Sequence, residues 1–182
     1  MHKPGTAVRQ MVLIAAMTAV LEVAKFALNA IANVELITLL VMVYTRKFGW
    51  KLTLASVLLF AVLESMWWGV SIWTATYFYV WPILVLISAL TSNVDSPVLN
   101  AVIAGVFGLL FGALCALLTL VTAGWKAAVA WWIAGIPYDL VHGIANAIIV
   151  LVLYKPLYTA LGHLYSKREN TPTKAFRVPH GW

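Results

Sequence analysis

Charge is what this chain has least of. Only 10% of its 182 residues are charged and six are acidic, while 63% are hydrophobic and the mean hydropathy is +0.94. A soluble domain carries about 25% charged residues and about 45–50% apolar ones, so that class is excluded. The single cysteine, Cys115, sits in an apolar run and excludes an intramolecular disulfide. No HExxH, GxSxG elbow, P-loop or Cys/His cluster at metal-ligand spacing occurs. No cofactor or metal is expected, and any ATP used to move a solute must be hydrolysed by another chain. A signal peptide is not expected either, because no small-residue cleavage site follows a short apolar core and Glu22 and Lys25 interrupt the first apolar run. The net charge of +6 comes from basic residues at helix ends rather than from one patch, so nucleic acid is not an expected partner.

What stands in place of charge is a series of long apolar runs. Lipid-exposed backbone must satisfy its own hydrogen bonds, and no β-barrel alternation is present. The fold class predicted is an all-α integral membrane protein, a six-transmembrane-helix bundle with a short helix 2 and an extra short interfacial segment before helix 6. Residues 1–9 form a basic leader, 10–162 the membrane domain and 163–182 a basic tail. Spans are expected at Gln10–Leu28, Val34–Phe48, Leu52–Trp68, Thr74–Leu90, Val98–Val121 and from Pro137 to about Tyr158. The second, at 1.5 Å per residue, covers only about 22 Å of a core roughly 30 Å thick. Ala127–Ala134 reads as the short interfacial or re-entrant segment. Ala104, Gly108, Gly112 and Ala116 recur every four residues, a strip suited to tight helix packing.

The stretch Trp131–Asn146, WWIAGIPYDLVHGIAN, concentrates the polar chemistry. Pro137 suits the first position of a helix. Asp139, His142 and Asn146 then follow at i, i+3 and i+7 on one face, with Asp139 in the first turn at the positive end of the macrodipole. Such a stripe either lines a site or ties neighbouring helices together by hydrogen bonds, and intramembrane ionisable groups favour the former. Glu22 and Lys25, three apart, are placed to neutralise each other.

Basic residues fix the orientation. With six spans, Lys3, Arg9, Arg46, Lys47, Lys51, Lys167, Arg168, Lys174 and Arg177 fall on one side and only Lys126 on the other. By the positive-inside rule both termini are cytoplasmic, in a multi-pass protein of the cell membrane. The outward loops then gather Asn29, Asn33, Glu35, Glu64, Trp67, Trp68, Trp73, Tyr77, Trp131, Trp132, Tyr138, Asp139, His142 and Asn146. They predict an outward-facing, aromatic-walled, sparsely polar pocket.

Six short spans, basic inner loops and the Ala15-x-x-x-Ala19 strip on the first helix resemble the substrate-binding S component of an energy-coupling factor (ECF) type ABC transporter. The segments NVELITLLVMVYTRKFGWK (Asn33–Lys51), YFYVWPILVL (Tyr77–Leu86), GVFGLLFGALCAL (Gly105–Leu117) and WWIAGIPYDLVHGIANAIIVLVLYKPL (Trp131–Leu157) are similar to a subgroup of S components from Gram-positive bacteria. The resemblance covers Gln10–Leu157. It implies a vitamin captured at the outer face and docking through Ala15 and Ala19 onto a transmembrane T component. It also implies two partner ATPases and toppling of the S component in the lipid. Cobalamin or a related corrinoid is the substrate it suggests first, with riboflavin and thiamin open. An intramembrane enzyme using Asp139 and His142 as an acid–base pair is the alternative reading, and an assembly subunit a third.

Overall fold

The structure is a computed structural model and describes residues 6–94 and 96–169. These form α1 (Thr6–Leu28), α2 (Ile37–Phe48), α3 (Trp50–Trp68), α4 (Ile72–Leu90), α5 (Pro97–Leu109), α6 (Phe111–Ala123) and α7 (Trp125–Glu169), with no strand among the described residues. Five stretches are long and apolar enough to cross a membrane, α5 and α6 counting as one of 27 residues. That is the pattern of a multi-pass membrane protein. Of the basic leader, residues 6–9 are already helical, as are 163–169 of the tail. Residues 170–182 lie outside the described residues.

Local sequence explains most of the boundaries. Gly49 and Gly124 each stand alone between two consecutive helices, at φ 89° and 83°, a region that glycine enters without steric cost. Ser71 caps α4 reciprocally with Thr74, and Ser96 caps α5 just ahead of Pro97, the arrangement expected of a helix start.

Helix α2 is the centre of the molecule, and every residue from Ile37 to Thr45 is buried. Its 12 residues span about 18 Å, too short to cross hydrocarbon alone. It begins three residues later than its sequence predicts, because Glu35 caps it from outside: the Thr38 N–H donates to Glu35 Oε2 at 2.9 Å. At its other end Arg46 donates to the Val94 carbonyl at 2.7 Å, the Thr91 carbonyl at 2.8 Å and Asn100 Oδ1 at 2.8 Å.

Two predicted features are overturned. Ala127–Ala134 is not a separate interfacial segment but part of α7, which runs unbroken for 45 residues. Pro137 is therefore interior to a helix rather than first in one, and Asp139 is not in the first turn of its own helix. Gly135, Asp139 and Gly143 beside it are weak helix formers, so it is the extensive packing of α7 against α5 and α6 that outweighs the cost of the missing N–H. The predicted fifth span is jointed at Leu110, between α5 and α6.

The small-residue strip packs as its spacing predicts. A Cβ on Gly108 would lie 2.8 Å from Gly143 Cα, and one on Gly105 would lie 3.2 Å from Ala147 Cβ. These helices meet backbone to backbone. In lipid such close approach replaces the hydrophobic drive, which is absent between apolar helices and apolar tails.

Candidate functional site

The loop between α1 and α2, the α3–α4 turn and the α6–α7 turn come together at one end of the bundle, and two adjoining hollows open there. One, of about 320 Å³, is lined by Lys25, Asn29, Glu35, Tyr77, Trp81 and His142 among others. The second, of about 380 Å³, is lined by Trp131, Gly135, Tyr138 and Asp139. Asn33, Trp73 and Phe111 wall both. Asn33 holds φ 58°, a left-handed conformation that asparagine tolerates better than most residues.

The three-residue stripe on α7 is buried as one face, and each member bonds a different group. Asp139 Oδ1 accepts from the Gly112 N–H at 2.9 Å. Gly112 is the second residue of α6, so the carboxylate sits at a helix start, as aspartate favours, but on a different helix from the one predicted. His142 Nε2 lies 3.3 Å from Glu35 Oε1. Asn146 Nδ2 donates to Thr38 Oγ1 at 3.1 Å. The stripe thus seats the first turns of α2 and α6 against α7, while Asp139 and His142 also face the hollows.

Electrostatics at the mouth centre on two acids, one buried and one half-buried. Glu64 is wholly buried and forms an ion pair with Lys25, whose ammonium also donates to Tyr77 Oη at 2.7 Å and lies 4.5 Å from that ring's centroid. Lys25 therefore pairs across the bundle rather than with Glu22 alone, the partner its spacing predicts. Glu22 lies close enough to Glu64 for the two carboxyl groups to interact. Glu35 is pulled two ways. Burial would lift its carboxyl, but the His142 hydrogen bond and charge, with the Thr38 hydroxyl and N–H, outweigh that and hold it below the ordinary value.

Aromatic rings complete the walls. Trp73 and Trp131 are 5.2 Å apart between centroids, Trp81 and Phe111 5.6 Å, and Phe111 meets His142 edge-on at 4.9 Å.

Of the residues the sequence nominates, Asn29, Asn33, Glu35, Trp73, Tyr77, Trp131, Tyr138, Asp139 and His142 line the hollows. Glu64 and Asn146 stand behind the wall, holding Lys25 and Thr38. Trp67 and Trp68 pack on Phe26 at the outer surface, 71% and 52% exposed. Trp132 faces a separate apolar groove between α6 and α7. Adjacent residues on a helix point about 100° apart, so Trp131 and Trp132 cannot share one wall.

Phe60, Trp81 and Phe111 also line the first hollow but carry no signal in an apolar sequence. Phe111 is the first residue of α6, directly after the break at Leu110. Among the described residues no group of three His, Cys, Asp or Glu side chains stands close enough to hold a metal ion. Asp139 and His142 are engaged by different partners, Gly112 and Glu35, and share no hydrogen bond with each other among the described residues.

No family model matches the chain, and neither a curated protein nor a solved structure does.

Proposed function

We propose that this chain is the substrate-capture S component of an ECF-type ABC transporter that imports a vitamin. The observation that carries the reading is the pairing of two surfaces. One end of the bundle holds an aromatic-walled hollow with a few buried polar groups, the usual make-up of a small-molecule site. The flank of α1 leaves Ala15, Ala16 and Ala19 exposed, a smooth strip on which another helix can lie. In this reading α2 is the sixth crossing, short because protein rather than lipid surrounds it. Both termini and the Arg46–Lys51 turn are then cytoplasmic and the hollows face outward across the cell membrane.

The partners are a T component, which docks on Ala15 and Ala19, and two ATPases that drive the toppling and release of substrate inward. Cobalamin or a related corrinoid is the first candidate substrate, because rings wall both hollows. Such a ligand has to span both lobes and protrude from the mouth, whereas riboflavin or thiamin fits within them.

Affinity purification of the tagged chain from native membranes is expected to recover a T component and two ATPases, and recovery of the chain alone counts against the proposal. Ala15→Trp and Ala19→Trp are expected to abolish uptake while leaving substrate binding intact. Normal transport by both variants removes the docking assignment.

A further inference from the structure

The acidic residues of this chain are unevenly placed. It carries a net charge of +6 and only six acids, yet four of the six are at the mouth. Glu35 and Asp139 line the two hollows. Glu64 is held on Lys25 at the wall, and Glu22 adjoins Glu64. Facing these four carboxyl groups are one lysine and one histidine, and no other cationic side chain lines either hollow among the described residues. Even with His142 protonated, acid outnumbers base. Asp139 is 8% exposed, and its Oδ2 has no hydrogen-bond partner in the protein. The wall it shares is built of Trp73, Trp131, Phe111 and Tyr138. Aromatic faces beside a carboxylate form the arrangement that binds organic cations, because ring quadrupoles and the carboxylate attract the same charge.

We infer that the hollow beside Asp139 binds a flat nitrogen-containing ring of positive charge, set against Trp73 and Trp131 with its charge toward Asp139. The inference rests on the reading of the mouth as a capture site and deepens it; where it holds, a small cationic ring displaces a corrinoid as the first candidate substrate. It does not depend on docking to a T component. Anionic ligands are disfavoured by Glu35 and Asp139, the two acids that line the hollows, and a neutral ring gains the stacking but not the charge.

The test uses three probes that share one ring system: permanently cationic 1-methylquinolinium, quinoline, which is uncharged at neutral pH, and anionic quinoline-2-carboxylate. Each is titrated calorimetrically into the purified full chain in detergent. The cation is expected to bind about tenfold or more tightly than quinoline, and the anion to give no binding heat. Asp139→Asn is expected to remove most of that preference. Trp131→Leu, which keeps every carboxylate, is expected to shrink it by removing a ring face, and it decides the matter if Asp139→Asn does not fold. Equal affinity for the cation and quinoline, a preference for quinoline or the anion, or no binding of any probe overturns the inference. So does a preference unchanged in both variants. Recovery of partner subunits with the chain is unaffected by any of these results, so the two proposals fail separately.

Discussion

The two ends of the bundle place polar groups in apolar surroundings and dispose of them differently. At the end formed by Gly49 and the α4–α5 turn, Arg46 satisfies two carbonyls and Asn100, and Lys47 lies 4.5 Å over the Tyr158 ring. Those cations close helix ends, where the macrodipole favours them. At the other end Glu35 and Asp139 also seat helix starts, yet they and Lys25 border open volume. The same capping chemistry is structural where side chains fill the space behind it. Where they do not, it lines a hollow.

The comparison is tested most severely at Lys25. Lys25→Met leaves Glu64 buried without its cation and is expected to cost about 3–5 kcal/mol. Thermal unfolding in detergent measures the loss, and Lys25→Met with Glu64→Gln is expected to recover most of it. A mild effect of the single change would mean that Glu64 is not held by this pair.

Arg46→Ala, at the opposite end, is expected to cost about 2 kcal/mol while leaving 1-methylquinolinium binding unchanged. A change in probe affinity there would show that the two ends are not independent.

Glu35 sharpens the contrast through pH. Its carboxyl titrates below the ordinary 4.5, so the stability it adds is full above that value and is lost as pH falls through the lowered one. The unfolding-temperature gap between the parent protein and Glu35→Gln is expected to hold from neutrality down to the ordinary carboxylate range and to close only below it. A gap that closes nearer neutrality contradicts the assignment.

The smallest effects are expected at Trp67 and Trp132. Alanine at either is expected to change stability by about 0.5 kcal/mol or less and probe affinity not at all, whereas Trp73→Ala weakens binding. Calorimetry on the three variants separates rings that wall the hollow from rings that lie outside it.

Much of the mouth was legible because few residues there were ambiguous. In an apolar chain Glu35, Asp139 and His142 stand out, and the i, i+3, i+7 spacing placed Asp139, His142 and Asn146 on one face. Their partners were not legible. Gly112 and Thr38 lie 27 and 108 residues from the side chains that bond them, and no local rule links such positions. Proximity in sequence also misled. Trp67, Trp68 and Trp132 neighbour site residues along the chain but point away from the hollows, and Lys25 found Glu64 on another helix.

By itself the sequence determined that this chain is helical and suited to a membrane, where several of its helices end, and which rare polar residues share a face. Those properties follow from composition, glycine and serine punctuation and the helical repeat, all local. The tertiary structure decided that α7 runs through Pro137, that α5 and α6 meet at a joint just before Phe111, and that a hollow lies behind Asp139. These depend on how several helices fill space together, which no single segment specifies.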